Sequence, residues 1–286
     1  MTAAGVTVGI PTFARGERVL EVLGRLLECR PAPAEIIVHV DASDASLERK
    51  LEDRFPSVRT IASALRVGPG GGRHRCILAA SHPIFCSFDD DSWPIDADFF
   101  ARVEEHFAVN AEAACLAAAI SHRGETPSDR IDRVEETTDY VGCGYAIRTH
   151  FYRGLPGHVD RPVAYGMEER DLSLQIAGAG RKVLMCHDLR VFHDTCLEHH
   201  QSAEITIGTI QNAALLPWLR YPPSLWPYAC LQFANVLYFL LSQGRVGGVG
   251  TGLVSIPRVL WRFRGHRSPV AAPIIRSYLR RRRRLA

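Results

Sequence analysis

The fold is decided by the stretch IFCSFDDDSWP, residues 84–94. Its first five residues form a short apolar run without alternation, which is typical of a strand buried on both faces of a parallel sheet. The run ends in three adjacent carboxylates, Asp89, Asp90 and Asp91. Ligands of open α/β sheets bind beyond the carboxyl ends of the strands, so these carboxylates are expected at a binding site.

Three carboxylates in a row repel one another unless a cation lies among them. Their oxygen atoms suit Mg²⁺ or Mn²⁺, and either ion can in turn hold phosphate groups. The alternative is a solvated acidic turn, or a capping cluster in which Asp96 and Asp98 open the next helix. The choice between the two depends on the rest of the chain.

Composition is that of a globular protein, with 286 residues, 47% of them hydrophobic and 23% charged. This length allows one large domain, or one domain with an appendage. Charge is unevenly spread, because twelve arginines and no acidic residue follow Glu204, which leaves about −9 on the first 204 residues. A basic tail on an acidic body predicts an anionic partner, either a membrane surface or a nucleic acid.

The eight cysteines form no Cys-x-x-Cys pair and no zinc-binding spacing. Several lie in apolar runs, so we expect reduced, mostly buried thiols in a cytosolic protein. Residues 1–7 lack the pattern of a secretory signal.

The first half of the chain alternates between strands and helices. A strand at 6–10, a helix at 15–29 and a strand at 35–40 predict a βαβ unit with a right-handed crossover. Residues 67–75 hold four glycines and two arginines, which predict a loop that lets the backbone approach a ligand, with a helix over 73–80. This loop matches neither a P-loop nor a Rossmann fingerprint.

The second half predicts a helix at 98–110, a strand at 113–120, a loop or hairpin at 122–138 and a glycine-containing strand at 140–147. An apolar helical pattern then opens with three acids, Glu168, Glu169 and Asp171, and ends near Gly178. Helix capping accounts for some of these acids but does not require three of them. Two short strands follow at 182–186 and 189–193.

Six segments in this order resemble the family-two glycosyltransferases. They are VTVGIPT (6–12), VHVDASD (38–44), GGGRH (70–74), DDD (89–91), GMEERDLSL (166–174) and RVFH (190–193). The resemblance implies an α/β GT-A fold, a Rossmann-like nucleotide-diphospho-sugar transferase fold with a mixed central sheet. It predicts a catalytic domain over 1–204, with a donor half to about 98 and an acceptor half from about 99, and a basic, apolar helical extension over 205–286.

The resemblance also implies roles for residues of the donor half. Asp41 would bind the nucleobase, and Arg73 would contact the base or the phosphates. Asp89 and Asp90 would lie near the donor, with Asp89 close to the ribose. The remaining members of this expected donor pocket are Pro11, Thr12 and Arg15.

The same resemblance implies which residues bind the metal ion and which residue is the general base. Asp91 would bind a divalent ion that bridges the diphosphate, together with Asp89 and His193, and an imidazole ligand favours Mn²⁺ over Mg²⁺. Glu169 would take the proton from the acceptor hydroxyl. The family often has Glu-Asp where this chain has Glu168-Glu169, so Glu168 stays open as the base, and Asp171 is a third candidate.

The reaction itself requires groups of these kinds. Sugar transfer needs stabilisation of the leaving group, which a bound metal provides, and a base on the side opposite the leaving group. One base without a covalent intermediate predicts inversion, and the imide N–H of uracil or thymine suits Asp41, which favours UDP or dTDP. The product would be a polysaccharide, a glycolipid or another glycoconjugate. The competing hypotheses are a sugar nucleotidyltransferase and a non-catalytic, membrane-associated module that binds nucleotide sugars.

The C-terminal segment is apolar and basic. Residues 229–241 are too short to span a bilayer comfortably, and 254–263 mix aromatic residues with arginines. These features predict a peripheral protein on the cytoplasmic face of an anionic membrane, with a glycan, lipid-linked or small-molecule acceptor. The alternative is a set of helices packed on the catalytic domain. Nucleic acid is disfavoured, because no groove-reading motif accompanies the arginines.

Overall fold

The computed structural model describes residues 3–163, 167–195 and 202–285. The chain forms two compact units. The first, here the sheet unit, comprises Met1–Pro162 and Arg181–Thr195, and the second, the helical unit, comprises Val163–Gly180 and Cys196–Ala286. The helix that opens with Glu168, Glu169 and Asp171 therefore belongs to the helical unit. The catalytic domain expected over residues 1–204 remains a prediction.

The sheet unit contains nine strands and five helices among its described residues. The strands are β1 Ala4–Thr12, β2 Pro33–Asp41, β3 Arg59–Ser63, β4 Ile84–Ser87, β5 Ser92–Pro94, β6 Ala113–His122, β7 Val134–Thr137, β8 Tyr145–Arg148 and β9 Lys182–His193. The helices are α1 Gly16–Glu28, α2 Ala45–Arg54, α3 Gly68–Ala79, α4 Phe99–Val109 and α5 Thr149–Arg153. The predicted βαβ unit and the buried strand before the carboxylates are confirmed.

One sheet joins all nine strands in the order β3-β2-β1-β4-β8-β6-β9-β5, with β7 paired to β9. Strands β1 to β4 run parallel, whereas β8 is antiparallel to both β4 and β6. The α/β class with a mixed central sheet is therefore confirmed. Parallel pairing brings the carboxyl ends of β1, β2 and β4 to one edge, where Thr12, Asp41 and the three carboxylates lie.

The glycine-rich segment was expected to be a loop, and this expectation is wrong, because helix α3 already begins at Gly68. Its glycines serve close packing: a Cβ on Gly72 would lie 2.8 Å from both Pro11 Cβ and His39 Nδ1. Gly68 has a φ of +78°, and a Cβ there would lie 1.8 Å from the carbonyl oxygen of Arg161. Gly72 therefore lets α3 pack closely against β1 and β2, and Gly68 lets the start of α3 approach the backbone of Arg161.

Two further expectations differ from the structure. The two short strands at 182–186 and 189–193 form one strand, β9, because a register shift against β6 accommodates the residues between them. The glycine-containing strand expected at 140–147 begins only at Tyr145. The expected hairpin region contains β7, which pairs antiparallel with β9.

The helical unit is built from α6 Glu168–Gly178, α7 Ala203–Arg220, α8 Trp226–Ser242, α9 Val249–Arg262 and α10 Ala272–Leu285. Its core packs Leu174 of α6 against Leu225, Val270 and Ile275. Among the described residues, one helical segment, Pro223–Ser242, is long and apolar enough to cross a membrane, by length and composition only.

The described cysteines agree with the prediction of buried thiols. Seven are free and six of these are buried, while Cys230 is exposed. Burial raises the pKa of Cys29 to about 11 and that of Cys76 to about 12, which keeps both thiols protonated and unreactive. Cys196 lies outside the described residues.

Candidate active site

The three carboxylates that follow β4 occupy different environments. Asp90 is buried and accepts a hydrogen bond of 2.8 Å from the Thr12 hydroxyl at the end of β1. Burial raises the pKa of Asp90 to about 6, although Thr12 and Arg15 oppose the increase. Asp90 therefore points into the protein and links β4 to β1, and both partners belong to the expected donor pocket.

Asp91 lies between the side chains of Arg15 and His193. Its carboxylate is 2.8 Å from Nη1 of Arg15 and 3.1 Å from Nε2 of His193, the last residue of β9. Burial alone would raise the pKa of Asp91, but the hydrogen bond and charge of His193 and the charge of Arg15 hold it below its ordinary value. Asp91 is thus ionised at neutral pH, as a metal ligand must be.

The pKa of His193 is shifted in the opposite direction, upward. Burial would lower its pKa, but the hydrogen bond to Asp91 and the charges of Asp89 and Asp91 raise it above its ordinary value. Its Nε2 is also 4.0 Å from Asp89. Two carboxylates and the imidazole therefore converge at the carboxyl end of β4.

Asp89 is paired with Arg73, which projects from α3. The Arg73 guanidinium is buried, hydrogen-bonds to Asp89 and donates a further bond of 3.0 Å to the Ser87 hydroxyl. Gly142 makes room for it, since a Cβ there would lie 2.9 Å from Nη2 of Arg73. Gly142, which precedes β8, therefore admits the side chain of this arginine.

Cys143 completes the cluster and was missed by sequence analysis. A carboxylate oxygen of Asp89, the Cys143 sulfur and a ring nitrogen of His193 all lie within 4.8 Å of one another. Its neighbours Gly142 and Gly144 were a weak signal of a close approach, but no motif marked the thiol. The donors fit a divalent ion, because carboxylate, imidazole and thiol are all metal-ligating groups.

Asp41, expected to bind the nucleobase, caps helix α3. Its carboxylate oxygens accept the backbone N–H groups of Val67 and Gly68 at 2.8 and 2.9 Å. Each oxygen has a second lone pair, so a further N–H can still be bound. Asp41 therefore fixes the start of the helix that carries Arg73.

The three acids of α6 also differ from one another. Asp171 is buried, accepts hydrogen bonds from the buried Arg220 through Nε and Nη2, and accepts a further bond of 3.0 Å from Gln175. Glu168 and Glu169 are partly exposed in the first turn of the helix. Gly166, which opens the expected motif, lies outside the described residues.

Comparison with known proteins decides the family. The sequence profile described as glycosyl transferase family 2 matches residues 7–160, more than half of the chain. The chain belongs to glycosyl transferase family 2. This glycosyltransferase matches no curated protein sequence.

Solved structures share the fold of this glycosyltransferase at low identity. GalNAc-T7 with UDP, GalNAc and Mn²⁺ superposes with a TM-score of 0.61 at 15% identity, over 78% of this chain and 49% of the other. PcManGT from Pyrobaculum calidifontis with GDP-Man and Mn²⁺ gives 0.58 at 14%, over 93% and 85%. S. aureus TarS 1–349 with UDP-GlcNAc gives 0.58 at 14%, over 83% and 72%.

These comparisons identify the fold as GT-A, the fold that the sequence predicted. The chain spans about half the length of GalNAc-T7 and most of the length of the other two. Membership of the family makes the protein a glycosyltransferase. This membership counts against the competing hypothesis of a sugar nucleotidyltransferase.

Proposed function

We propose that this protein is a metal-dependent, inverting glycosyltransferase that moves a sugar from a nucleotide-diphosphate donor to an acceptor hydroxyl. The observation that carries the proposal is the convergence of Asp89, Asp91 and His193 at the carboxyl ends of β4 and β9. In this proposal, Asp89-Asp90-Asp91 is the metal-binding Asp-x-Asp motif of the family.

A bound divalent ion would neutralise the charge that develops on the leaving diphosphate. Asp91, Asp89 and His193 would hold it, and Cys143, which lies beside Asp89 and His193, would be a further ligand. An imidazole and a thiol beside carboxylates favour Mn²⁺ over Mg²⁺, because Mg²⁺ prefers oxygen ligands alone. The GalNAc-T7 and PcManGT structures contain Mn²⁺, which supports this choice.

The donor we favour is UDP- or dTDP-linked. The free lone pairs of Asp41 would accept the imide N–H of uracil or thymine, with Pro11 and Thr12 beside it on β1. Two of the neighbouring structures contain UDP or UDP-GlcNAc, and a third contains GDP-Man. Arg15 and Arg73, which pair with the carboxylates, are the cations available for the diphosphate.

The base we propose is Glu169, with Glu168 as its alternative. Asp171 is a poor candidate, since Arg220 and Gln175 occupy its carboxylate. As the acceptor oxygen bonds to the anomeric carbon, the bond to the diphosphate breaks and the leaving nucleotide keeps its electron pair. The acceptor proton passes to the glutamate. A single displacement of this kind inverts the anomeric centre.

We also propose a peripheral location on the cytoplasmic face of an anionic membrane. Large apolar side chains stand exposed on α8 and α9, among them Leu231, Tyr238, Val254 and Trp261. Arg264 lies 4.0 Å from the ring centre of Trp261, a pairing typical of an interfacial helix. The acceptor would be a glycan, a lipid-linked sugar or a small molecule.

Calorimetric titration with UDP, dTDP and GDP, each in Mn²⁺ and in EDTA, tests the donor site. We expect one nucleotide to bind only with the metal. Asp91→Asn should abolish this binding, because a charged ligand is lost. Metal-independent binding, or unchanged affinity in the variant, would contradict the proposed metal site.

The base is tested by a pair of conservative variants. Glu169→Gln should leave nucleotide binding nearly unchanged and reduce transfer by about 10²–10⁴-fold, the usual contribution of a general base. Glu168→Gln is the matched control, with a small effect expected on transfer. If the two effects were reversed, the base would be Glu168.

A further inference from the structure

The helical unit contains a groove of about 620 Å³ whose walls come from α6, α7, α8 and α10. Its cationic lining residues are Arg170, Arg245 and Arg282, and none of the described residues that line it is acidic. The whole unit has thirteen arginines and five acidic residues, one of which, Asp171, is paired with Arg220. The groove is therefore complementary to an anion.

Helix α6, which carries the proposed base, forms part of this groove. Arg170 directly follows the proposed base Glu169 on α6, and Leu174 lies one turn further along. Arg245 donates hydrogen bonds of 3.2 and 3.3 Å to the Thr206 hydroxyl, and no carboxylate pairs with it in the described part of the chain. A ligand in the groove would thus lie on the helix that carries the base.

The rest of the lining divides into apolar and neutral polar groups. The apolar side chains include Leu216, Val236 and Phe239, and the polar ones include Asn212 and Gln232. A second cavity of about 610 Å³ shares Tyr228 and Leu279 with the groove and adds Arg276 and Arg280. Cations beside apolar surface fit a ligand that joins a phosphate to a hydrocarbon chain.

We infer that this groove binds the acceptor, and that the acceptor is a saccharide joined through phosphate to a lipid chain. The inference rests on the proposed function and names its acceptor class. Arg245 and Arg282 bind the phosphate, the apolar wall holds the first part of the chain, and the amide side chains contact the sugar. Glu169 is not among the lining residues, so the attacking hydroxyl extends out of the groove along α6 to give its proton to this base.

The volume of the groove is consistent with binding the phosphate, the sugar and only the first part of the lipid chain. A cavity of about 620 Å³ falls within the range of about 300–1,000 Å³ found for small-molecule sites, so it admits a headgroup and a short length of chain. The remainder of a long lipid would stay in the bilayer, against the exposed apolar side chains of α8.

The test uses the full-length protein and a short isoprenoid phosphate, farnesyl phosphate, below its micelle concentration. Calorimetry compares it with farnesol and with inorganic phosphate. We expect farnesyl phosphate to bind at least about ten-fold more tightly than either, since each alone fills half of the site. Equal binding of farnesol would leave only an apolar groove, and equal binding of phosphate only an anion site, and both outcomes overturn the inference.

Variants locate the site. Arg245→Gln and Arg282→Gln should each weaken the binding of farnesyl phosphate about ten-fold, because a hydrogen bond to a charged group is lost. Arg245→Lys and Arg282→Lys should keep part of the affinity, because the positive charge remains. Arg49→Gln, an exposed arginine on α2, is the charge-matched control. Unchanged binding in both groove variants would overturn the inference, and circular dichroism melts verify that each variant is folded.

Nucleotide binding separates this inference from the proposed function. The variants in the groove should leave the Mn²⁺-dependent affinity for the nucleotide unchanged, because its ligands belong to the sheet unit. If the nucleotide binds and farnesyl phosphate does not, the acceptor inference alone fails. If no nucleotide binds with the metal, the proposed function fails.

Discussion

Replacing Arg220 by methionine should destabilise the helical unit rather than impair chemistry directly. Arg220 is fully buried, and its guanidinium bonds both oxygens of Asp171 and the carbonyl oxygen of His266, the latter at 3.1 Å. Methionine fills a similar space but leaves the Asp171 carboxylate buried without its counter-charge. Breaking a buried ion pair in this way costs about 3–5 kcal/mol in the free energy of unfolding.

That loss corresponds to a fall in Tm of about 6–20 °C, at about 2–4 °C per kcal/mol. Asp171→Asn should cost a similar amount, because it leaves the guanidinium unpaired. The double variant Asp171→Leu with Arg220→Met should recover most of the stability, since replacing both charges by apolar groups is often neutral.

Urea unfolding followed by tryptophan fluorescence measures these changes, because Trp218, Trp226 and Trp261 belong to the helical unit and only Trp93 to the sheet unit. Urea is preferred to guanidinium chloride, whose ions screen charge pairs. The reasoning is refuted if Arg220→Met shifts stability by less than about 1 kcal/mol, a small fraction of the expected loss. Full stability of Asp171→Asn with abolished transfer would instead make Asp171 catalytic.

Three further outcomes are expected. Gly72→Ala should lower the free energy of unfolding by about 1–3 kcal/mol, because its Cβ would overpack against Pro11. Gly24→Ala, whose added Cβ would have no atom within 4 Å, should stabilise α1 by about 0.5–1 kcal/mol in the same urea titration. Asp188→Asn should make the free energy of unfolding less dependent on pH in the acid range. Cys143→Ser should remove the thiolate-to-metal absorption band in the near ultraviolet that we expect when Co²⁺ replaces the native ion, while Cys230→Ser should retain it.

The acid prediction follows from the sign of a pKa shift. Burial would raise the pKa of Asp188, but hydrogen bonds from His106 and Arg102 hold it below its ordinary value. A carboxyl with a lowered pKa stabilises the fold above its unfolded pKa of about 3.9, and this contribution disappears as pH falls through the folded value. Equal acid sensitivity of Asp188→Asn and the parent protein would contradict the lowered pKa of Asp188. Equal stability of Gly72→Ala and Gly24→Ala would contradict the packing argument for Gly72.

The order of elements was readable from the chain because periodicity and turn residues are local properties. The run before Asp89 predicted a buried strand, and β4 is one. Patterns that depend on a distant partner were misread. The glycines before Arg73 indicated a loop, but they belong to α3, whose contacts with β1 and β2 need side chains as small as hydrogen.

The sequence by itself determined the fold class, the family and the acids that end β4, because these depend on residue type and order. Only the tertiary structure separated those acids by role: Asp90 faces Thr12, Asp91 faces His193, and Asp171 is held by Arg220. It also brought Cys143 beside His193. Burial and counter-charge set the ionisation of a carboxylate, and both arise from residues far apart in the chain, which no local pattern records.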